Sequence, residues 1–548
     1  MSGLGNIPIL VLKEGTERTQ GKNAQKNNIM AAVAVAEAIK STLGPKGLDK
    51  LMVDGLGDVT ITNDGATILD EMDVQHPTAK MMVQLAKSQD DKVGDGTTTV
   101  VILAGTLLKI SQEMLEQGLH PTIVIKGYRL ALKKAVEYLN QIAVKIEGND
   151  KNILKSIATT SMNSKAVMGQ KDKIGDICVD AVLQIKEQRD GKVICDIKNI
   201  QIIKKEGKSI GDTALIKGLI IDKEVVSPSM PKKVSGAKIA LIDTAMEVTK
   251  TEFDSEIRIT NPGEMQAFLD EEEKMLKNMV VKLKECGANI VFCQKGIDDM
   301  AQHFMAKEGI MAIRRVKKSD MEKLAKATNA RVINNIRDLS ASDIGSADVV
   351  EERKTGKDNM IYIEGCKDPK AVSILIRAGT EHVLDELDRA MHDALSVVID
   401  AVEDPYYVAG GGAIEVELSK EIIKFKETYS GKEQAAINWY ADVLPVIPMT
   451  LAENGGLDPV DVALELKEKH SKGNLWAGIN LASGKVEDMK ALNILIPKSV
   501  IEQSITAATE AACMILRIDD IIQASKLGGG GMPGGMPGGP GGMPDMDY

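Results

Sequence analysis

The chain has 548 residues and a mass of 59.0 kDa, which is too long for one hydrophobic core and predicts two to four domains. Its formal net charge is −11, so it has no surplus of cations to neutralise phosphates, and nucleic acid is excluded as the main partner. Aromatic residues make up only 3% of the chain, whereas methionine occurs 27 times, so the cores must be built from aliphatic side chains and methionine.

The first residues, MSGLGNIPILVLKEG, contain a short apolar run without a signal-peptide cleavage pattern. The longest apolar runs, such as MAAVAVAEAI, are shorter than a membrane span. The six cysteines are scattered and form no CxxC pair, which argues against a disulfide framework or a zinc site. We therefore expect a cytoplasmic protein that contacts no membrane and keeps its cysteines as free thiols.

Residues 20–145 have mostly helical periodicity. The first helix ends at LGPKG (43–47), where glycine and proline break the pattern. VTITNDG (59–65) predicts a short strand ended by a hairpin turn that contains Asp64. Three more helix-like segments follow and begin with TAKMM, TTTVV and PTIVI.

The middle of the chain has a different pattern. Apolar runs of strand length occur at 238–243, 288–294, 311–316 and 330–335, and helical patterns separate them. This alternation predicts a mainly parallel sheet covered by helices. Because no GxGxxG motif is present, the region does not resemble a dinucleotide-binding domain.

After residue 380 the chain becomes helical again, and it ends in a segment of glycine, methionine and proline at 528–548. That segment offers too little apolar surface to offset its ordering entropy, so we expect it to be disordered. The overall pattern predicts an α+β multidomain protein in which an α/β domain is inserted between two helical parts.

The stretch VGDGTTTV (93–100) is the strongest candidate for a binding site. Gly94 and Gly96 allow a ligand to approach the backbone closely, and Thr97, Thr98 and Thr99 would open a helix whose N–H groups favour an anion. Asp95 could then hold the Mg²⁺ of a nucleotide. The alternative is an ordinary helix start with an aspartate turn.

Two familiar phosphate and calcium motifs are excluded. A Walker loop would need glycine where Ile202 stands before GKS (207–209), and a calcium loop from Asp91 would place Val93 and Ile102 at ligand positions.

Three other segments could contribute polar or flexible groups to the same site. Lys46 in LGPKG could meet a phosphate, although the segment also suits a simple helix stop. Asp393 points away from the apolar stripe of the predicted helix at 381–402, so it is either solvated or directed at something outside that core contact. The glycine triplet in AGGGA (409–413) could admit a ribose or base, or serve as a flexible joint.

Taken together, LGPKG, NDGATIL, VGDGTTTV, HPTIVIKGY, AGGGAIEVELS and the Gly-Met-Pro tail occur in the order found in the group II chaperonins. Over nearly its whole length the chain resembles this family, and within it the archaeal thermosome subunits.

This resemblance implies three nested domains. An equatorial ATP-binding domain would combine residues 1–148 and 404–548. An intermediate hinge domain would use 149–218 and 370–403. The apical domain, 219–369, would bind substrate and carry a lid protrusion at about 245–277.

The resemblance also implies roles for individual residues. Asp95 would bind Mg²⁺, Asp64 and Asp393 would be the catalytic carboxylates that place the attacking water, and Lys165 would sense the γ-phosphate. The other implied nucleotide-binding positions are Thr42, Leu43, Gly44, Pro45, Lys46, Gly94, Gly96, Thr97, Thr98, Thr99, Gly411, Asn480 and Ala482. One position departs from the family, because Ile496 stands before Pro497 where an acidic ribose contact is common.

In the protrusion, Phe253, Ile257, Ile259 and Met265 are apolar residues among many charged ones. The resemblance implies that they meet neighbouring protrusions or non-native clients, although buried packing would be the ordinary explanation.

The expected function is that of a chaperone that uses ATP and Mg²⁺ to enclose unfolded proteins in a double ring, with or without a paralogous subunit. The sequence leaves open the number of subunits per ring. A small-molecule kinase or ATPase with a hinged active site is the alternative from another class, and a static ring without catalysis would leave Asp393 dispensable.

Overall fold

The computed structural model describes residues 17–164, 169–248, 262–367 and 369–523, and it has the predicted mixture of helix and sheet. The helices are α1 (Gly21–Lys40), α2 (Gly65–Glu71), α3 (Pro77–Val93), α4 (Thr97–Glu116), α5 (Pro121–Ile142), α6 (Lys151–Ser161), α7 (Lys171–Ile185), α8 (Pro262–Glu285), α9 (Asp299–Lys307), α10 (Lys318–Thr328), α11 (Glu381–Glu403), α12 (Ala413–Lys426), α13 (Lys432–Val443), α14 (Val446–Asn454), α15 (Pro459–Ser471) and α16 (Lys498–Ile515).

The strands are β1 (Glu17–Gln20), β2 (Lys50–Val53), β3 (Val59–Thr62), β4 (Val144–Lys145), β5 (Glu187–Arg189), β6 (Lys192–Ile194), β7 (Ile200–Glu206), β8 (Ala214–Ile216), β9 (Gly218–Ile221), β10 (Lys233–Ile242), β11 (Ile290–Cys293), β12 (Met311–Ile313), β13 (Val332–Ile333), β14 (Gly345–Thr355), β15 (Asp358–Glu364), β16 (Val372–Ala378), β17 (Tyr406–Ala409), β18 (Ala477–Asn480), β19 (Lys485–Asp488), β20 (Leu495–Pro497) and β21 (Asp520–Gln523).

The largest hydrophobic core combines the two ends of the chain. Its buried side chains come from residues 29–139 and 408–516, and α4 packs against α1, α3 and α16 within it. The first and last described strands also meet, since β1 pairs antiparallel with β21 from Glu17 opposite Gln523. The helical segments at both ends of the sequence therefore form one structural unit.

Helix α4 is more apolar than the sequence-based expectation. With a mean hydropathy of 1.2 it is long and apolar enough to cross a membrane, but 56% of that window is buried inside the protein. Burial of this kind is what a central core helix requires, because it is covered on most sides by neighbouring helices.

A second core, formed by residues 219–371, surrounds the largest sheet. The strand order is β12-β11-β10-β14-β15-β9, and β13 also pairs with β10. The four predicted strands are present and pair in parallel, but β14, β15 and β9 join them antiparallel. The prediction of a mainly parallel sheet was therefore wrong for half of its pairings, because the hairpin β14–β15 gave no recognised turn signal.

A third core lies between the other two and is built chiefly from α6, α7, α11 and the sheet β7-β16-β8. The apolar stripe predicted for α11 is buried as a whole, namely Leu384, Leu387, Met391, Leu395, Val398 and Val402. These cores give the three-domain division a physical basis, and the division itself remains a proposal.

Several predictions fall on residues outside the described ranges. Lys165 and the protrusion residues Phe253, Ile257 and Ile259 lie outside them, as does the 528–548 tail with its predicted disorder. Met265 belongs to α8, but its side chain is not described.

All six cysteines are described as free thiols, as predicted, and Cys286 is the one that is not fully buried.

The joint between α11 and α16 contains a buried carboxyl group. Ser499 at the start of α16 donates a hydrogen bond of 3.1 Å to Oδ2 of Asp400 on α11. Burial raises the pKa of Asp400 from 3.8 to about 7, and the nearby charges of Glu403, Asp404 and Asp95 add to the effect, while the bond from Ser499 opposes it.

We expect Asp400→Asn to stabilise the protein above pH 7. The folded protein keeps a proton on Asp400 that the unfolded chain releases above pH 3.8, so this carboxyl's contribution to stability is lost as the pH rises from 3.8 to about 7. Thermal unfolding at pH 8 should favour the variant by about 4 kcal/mol, with no comparable gain at pH 4. An equal gain at both pH values would contradict this explanation.

Candidate functional site

A cleft of about 820 Å³ opens between the first core and the third. Its walls come from the loop after α1, the loop before α4, helix α6, the glycine triplet before α12 and strand β18. A volume of this size suits a ligand as large as a nucleotide. The predicted nucleotide-binding residues that line it are Leu43, Gly44, Pro45, Lys46, Asp95, Gly96, Thr99, Gly411, Asn480 and Ala482.

A smaller depression of about 90 Å³ shares Leu43, Gly44, Asp95, Gly96 and Thr99 with the cleft. Its remaining lining includes the two predicted catalytic carboxylates and the rest of the helix start, namely Thr42, Asn63, Asp64, Thr97, Thr98, Ser161 and Asp393. Three carboxylates from distant parts of the chain therefore converge beside one helix N-terminus.

Two glycines with left-handed backbone shape this helix start. Gly94 ends α3 at φ 66°, and Gly96 precedes α4 at φ 77°, so the chain turns sharply between two helices. Asp95 lies between them and its Oδ1 accepts a 2.6 Å hydrogen bond from the N–H of Gly96. The N–H groups of the first turn, which begins at Thr97, are oriented as in known anion-binding helix starts.

Asp64 does not lie in a hairpin turn, as the sequence predicted, but is the N-cap of α2. Its Oδ2 accepts 2.8 Å hydrogen bonds from both N–H and Oγ1 of Thr67, while Oδ1 accepts one of 3.1 Å from Thr97. The prediction failed because an aspartate followed by glycine suits a helix start as well as a turn. Gly65 permits the close approach, since a Cβ there would lie 2.7 Å from Oγ1 of Thr98.

Asp393 reaches the depression from α11, which belongs to the third core. The sequence left open whether it is solvated or directed at something outside its own core, and the structure favours the second, because the residue is half-buried and lines the depression. One turn earlier on the helix, Arg389 donates a 3.2 Å hydrogen bond to the carbonyl of Ile61 in β3. This contact ties α11 to the strand that leads to Asp64.

The loop at residues 42–46 is held by a residue that the sequence analysis missed. Asn454 at the end of α14 donates hydrogen bonds of 3.0 and 2.9 Å to the carbonyls of Lys40 and Leu43. Gly44 adopts φ 83°, and a Cβ there would lie 2.2 Å from Leu451. An isolated asparagine has no pattern that would reveal such a role.

The opposite wall is formed by the glycine triplet and β18. The N–H of Ile479 donates a 2.8 Å hydrogen bond to the carbonyl of Gly411, so strand and triplet are in direct contact. Gly411 must stay small, because a Cβ would lie 2.8 Å from the sulfur of Met489. Asn480 is oriented by a 2.7 Å hydrogen bond to Glu487. Ile496 also lines the cleft, which makes this part of the wall apolar.

Other residues of the site carried no signal in the sequence. The hydroxyl of Ser161 is buried in the depression and has no hydrogen-bond partner within the described ranges. Asn163 lines the cleft and accepts a 2.8 Å bond from Lys171. Glu415 on α12 is buried in the cleft wall, and burial raises its pKa to about 7.

The arrangement fits a nucleotide with Mg²⁺ on three observations: the volume of the cleft, the helix start at Thr97 and the buried hydroxyl of Ser161 that lacks a partner among the described residues. No cluster of three histidine, cysteine or acidic side chains that could hold a metal occurs in the described part of the chain. Such a cluster is not required for Mg²⁺, which usually takes one or two protein carboxylates and relies on phosphate oxygens and water for its other ligands.

Residues 35–526 match the sequence profile of the TCP-1/cpn60 chaperonin family. The chain is 55% identical over 527 residues to a thermosome subunit of Pyrococcus horikoshii, with 96% of each chain covered. It is 54% identical over 550 residues to thermosome subunit beta of Archaeoglobus fulgidus, which covers 100% of this chain and 99% of the relative. Thermosome subunit alpha of the same organism is 53% identical over 527 residues, with 96% of this chain and 97% of the relative covered.

We expect Gly94→Ala to destabilise the protein strongly. Its left-handed backbone should cost a non-glycine residue about 1–2 kcal/mol, and the new Cβ would lie 2.1 Å from Cβ of Ser396 on α11. Gly118→Ala is the matched control, because Gly118 also has a positive φ but open space around its Cβ position. Chemical denaturation should show the larger loss for Gly94→Ala, and equal losses would mean that the contact with α11 is unimportant.

Proposed function

Because the chain belongs to the TCP-1/cpn60 chaperonin family, we propose that it is a group II chaperonin subunit that uses ATP hydrolysis to fold proteins inside a closed chamber. The observation that carries the proposal is the convergence of Asp64, Asp95 and Asp393 on the N-terminus of α4, beside a cleft large enough for a nucleotide. The match to this family over residues 35–526 favours the chaperonin interpretation over the kinase alternative.

In this proposal the phosphates are held by the start of α4. The N–H groups of Thr97, Thr98 and Thr99 and the hydroxyls of Thr98 and Thr99 would bind phosphate oxygens, and Lys46 in the exposed loop would add a positive charge. Asp95 would be the protein ligand of Mg²⁺, which neutralises charge on the phosphates. Gly411, Asn480 and Ala482 would lie beside the ribose and base.

Hydrolysis requires a water molecule placed in line with the bond to be broken. Asp64 would orient that water from the first core, where its bonds to Thr67 and Thr97 fix the carboxylate. Asp393 would complete the arrangement from α11 and accept the proton of the water. Since α11 belongs to another core, full activity would depend on how closely the third core approaches the first.

The three-domain organisation follows from the same proposal. The first core would be the equatorial ATP-binding domain, the third core the intermediate hinge and the second core the apical domain. On the strength of the family resemblance, we propose that Lys165 senses the γ-phosphate and that Phe253, Ile257, Ile259 and Met265 meet clients or neighbouring protrusions. The chamber would operate in the cytoplasm.

Self-association into a double ring is supported by an exposed apolar hairpin. In β2 and the following turn, Leu51, Val53 and Leu56 are 63%, 60% and 90% exposed, which is unusual for a cluster of aliphatic side chains. Two-stranded sheets also leave backbone groups unpaired at their edges. A second copy of the chain would cover these groups, and the thermosome relatives named alpha and beta support a paralogous partner.

We expect Asp393→Ala to bind ATP with nearly unchanged affinity and to lose at least about 100-fold in turnover, the usual scale for removing a general base. The neighbouring residue His392 is exposed on the same helix, so His392→Ala is a suitable control. Phosphate release and equilibrium binding of MgATP would be measured for both variants. Turnover at the wild-type rate in Asp393→Ala would remove this carboxylate from the mechanism.

Sedimentation velocity with Mg²⁺ should show a particle of many subunits. The chaperonin proposal requires association, because a single chain cannot enclose another protein, and the exposed hairpin offers an apolar surface for it. A stable 59.0 kDa monomer, with and without nucleotide, would contradict the chamber and revive the interpretation as a simple hinged ATPase.

A further inference from the structure

A buried histidine lies behind the cleft wall that contains β18. His470, in the last turn of α15, is 1% exposed, and Glu417 on α12 is 2% exposed. The Nδ1 atom of the ring lies 2.7 Å from Oε2 of Glu417, and Nε2 lies 2.8 Å from the carbonyl oxygen of Ala477. The ring therefore links three elements, α15, α12 and the first residue of β18.

The two ring nitrogens of His470 face different kinds of acceptor. A neutral imidazole donates from only one nitrogen, whereas a backbone carbonyl can only accept. Glu417 also acts as an acceptor: burial alone would raise its pKa, but hydrogen bonds from His470, Lys420 and Tyr138 lower it to about 2. Each ring nitrogen of His470 therefore faces a hydrogen-bond acceptor, the carboxylate of Glu417 on one side and the carbonyl of Ala477 on the other.

The other oxygen of Glu417 is also fully engaged. Its Oε1 accepts a 2.9 Å hydrogen bond from Tyr138 on α5 and lies 2.7 Å from the ammonium group of Lys420. Lys420 additionally donates a 3.0 Å bond to the backbone carbonyl of His470. A buried ion pair with this many hydrogen bonds adds little net stability, but it defines relative positions sharply.

His470 and Glu417 connect α12 with β18, and both of these elements lead to the cleft. Helix α12 begins directly after the glycine triplet, and β18 continues from Ala477 to Ile479 and Asn480, which line the cleft. The bond from Ile479 to Gly411 joins strand and triplet at the cleft itself. The bond from His470 to Ala477 fixes the same strand two residues earlier, so β18 is held at two points.

We propose that His470 and Glu417 form a positioning pair that sets the base-side wall of the cleft before a nucleotide arrives. This inference rests on the proposed function, since it assumes that the cleft binds ATP. Neither residue lines the cleft, so the pair acts through β18 and α12 and not by contact with the ligand.

The proposal predicts a selective loss of affinity. His470→Gln donates from a single nitrogen atom and cannot bridge Glu417 and Ala477 as the two ring nitrogens do, so β18 should shift and MgATP binding should weaken by about tenfold or more, as expected for small displacements at positioning contacts. Binding of inorganic tripolyphosphate with Mg²⁺ should stay unchanged, because it probes only the phosphate side. His303→Gln is the matched control, since His303 is exposed on α9 in the second core.

Calorimetric titration of both ligands separates the outcomes. If the wild type does not bind MgATP, the proposed function fails. If the wild type binds but His470→Gln binds MgATP equally well, or loses affinity for both ligands alike, the positioning role fails while the proposed function stands. Glu417→Gln should reproduce the selective loss, and the double variant should be no worse than either single one.

A measurement on the wild type alone tests the pair even if the variants do not fold. Amide hydrogen exchange of residues 477–482 should be slow without nucleotide and change little when MgATP is added, because the wall is preset. Fast exchange that becomes slow only with nucleotide would overturn the proposal.

Discussion

The N-terminus of α4 is where three separate parts of the chain come within contact distance, and glycine makes this possible. Gly65 lets the start of α2 touch Thr98, and Gly94 lets α11 approach until Ser396 fills the space of a missing side chain. These two contacts bring Asp64 and Asp393 to the same depression as Asp95. The packing that allows the carboxylates to converge therefore depends on two glycines, because neither has a Cβ atom.

Local sequence signals predicted the helix start at residues 94–99, whereas most other positions of the candidate site came from the family resemblance. Two glycines around an aspartate, followed by three threonines, specify a helix start through backbone freedom and N–H groups alone. The error at Asp64 shows the limit of local reasoning, since the same dipeptide serves a hairpin turn or a helix N-cap, and the bonds from Thr67 and Thr97 show that Asp64 is an N-cap. The antiparallel pairings of β14, β15 and β9 were missed because they depend on long-range contacts.

The roles of residues whose hydrogen-bond partners are distant in the sequence could not be predicted from the sequence. Asn454 holds the loop that ends at Lys46, and His470 links three elements, yet each is a single polar residue in an ordinary helical segment. Their partners are backbone carbonyls or a residue more than fifty positions away. Such roles can be recognised only in the structure, where each buried hydrogen-bond acceptor can be matched with its donor.

The composition of the first core has a consequence for the order in which the chain can fold during synthesis. Its side chains come from residues 29–139 and 408–516, and β1 finds its partner β21 only near the end of the described chain. Helices α1 to α5 must therefore leave the ribosome and wait while residues 140–407 are made, a delay on the order of tens of seconds. During that interval α1 and α3 can already pack against α4, but the apolar side of α4 that faces α16 has no permanent cover.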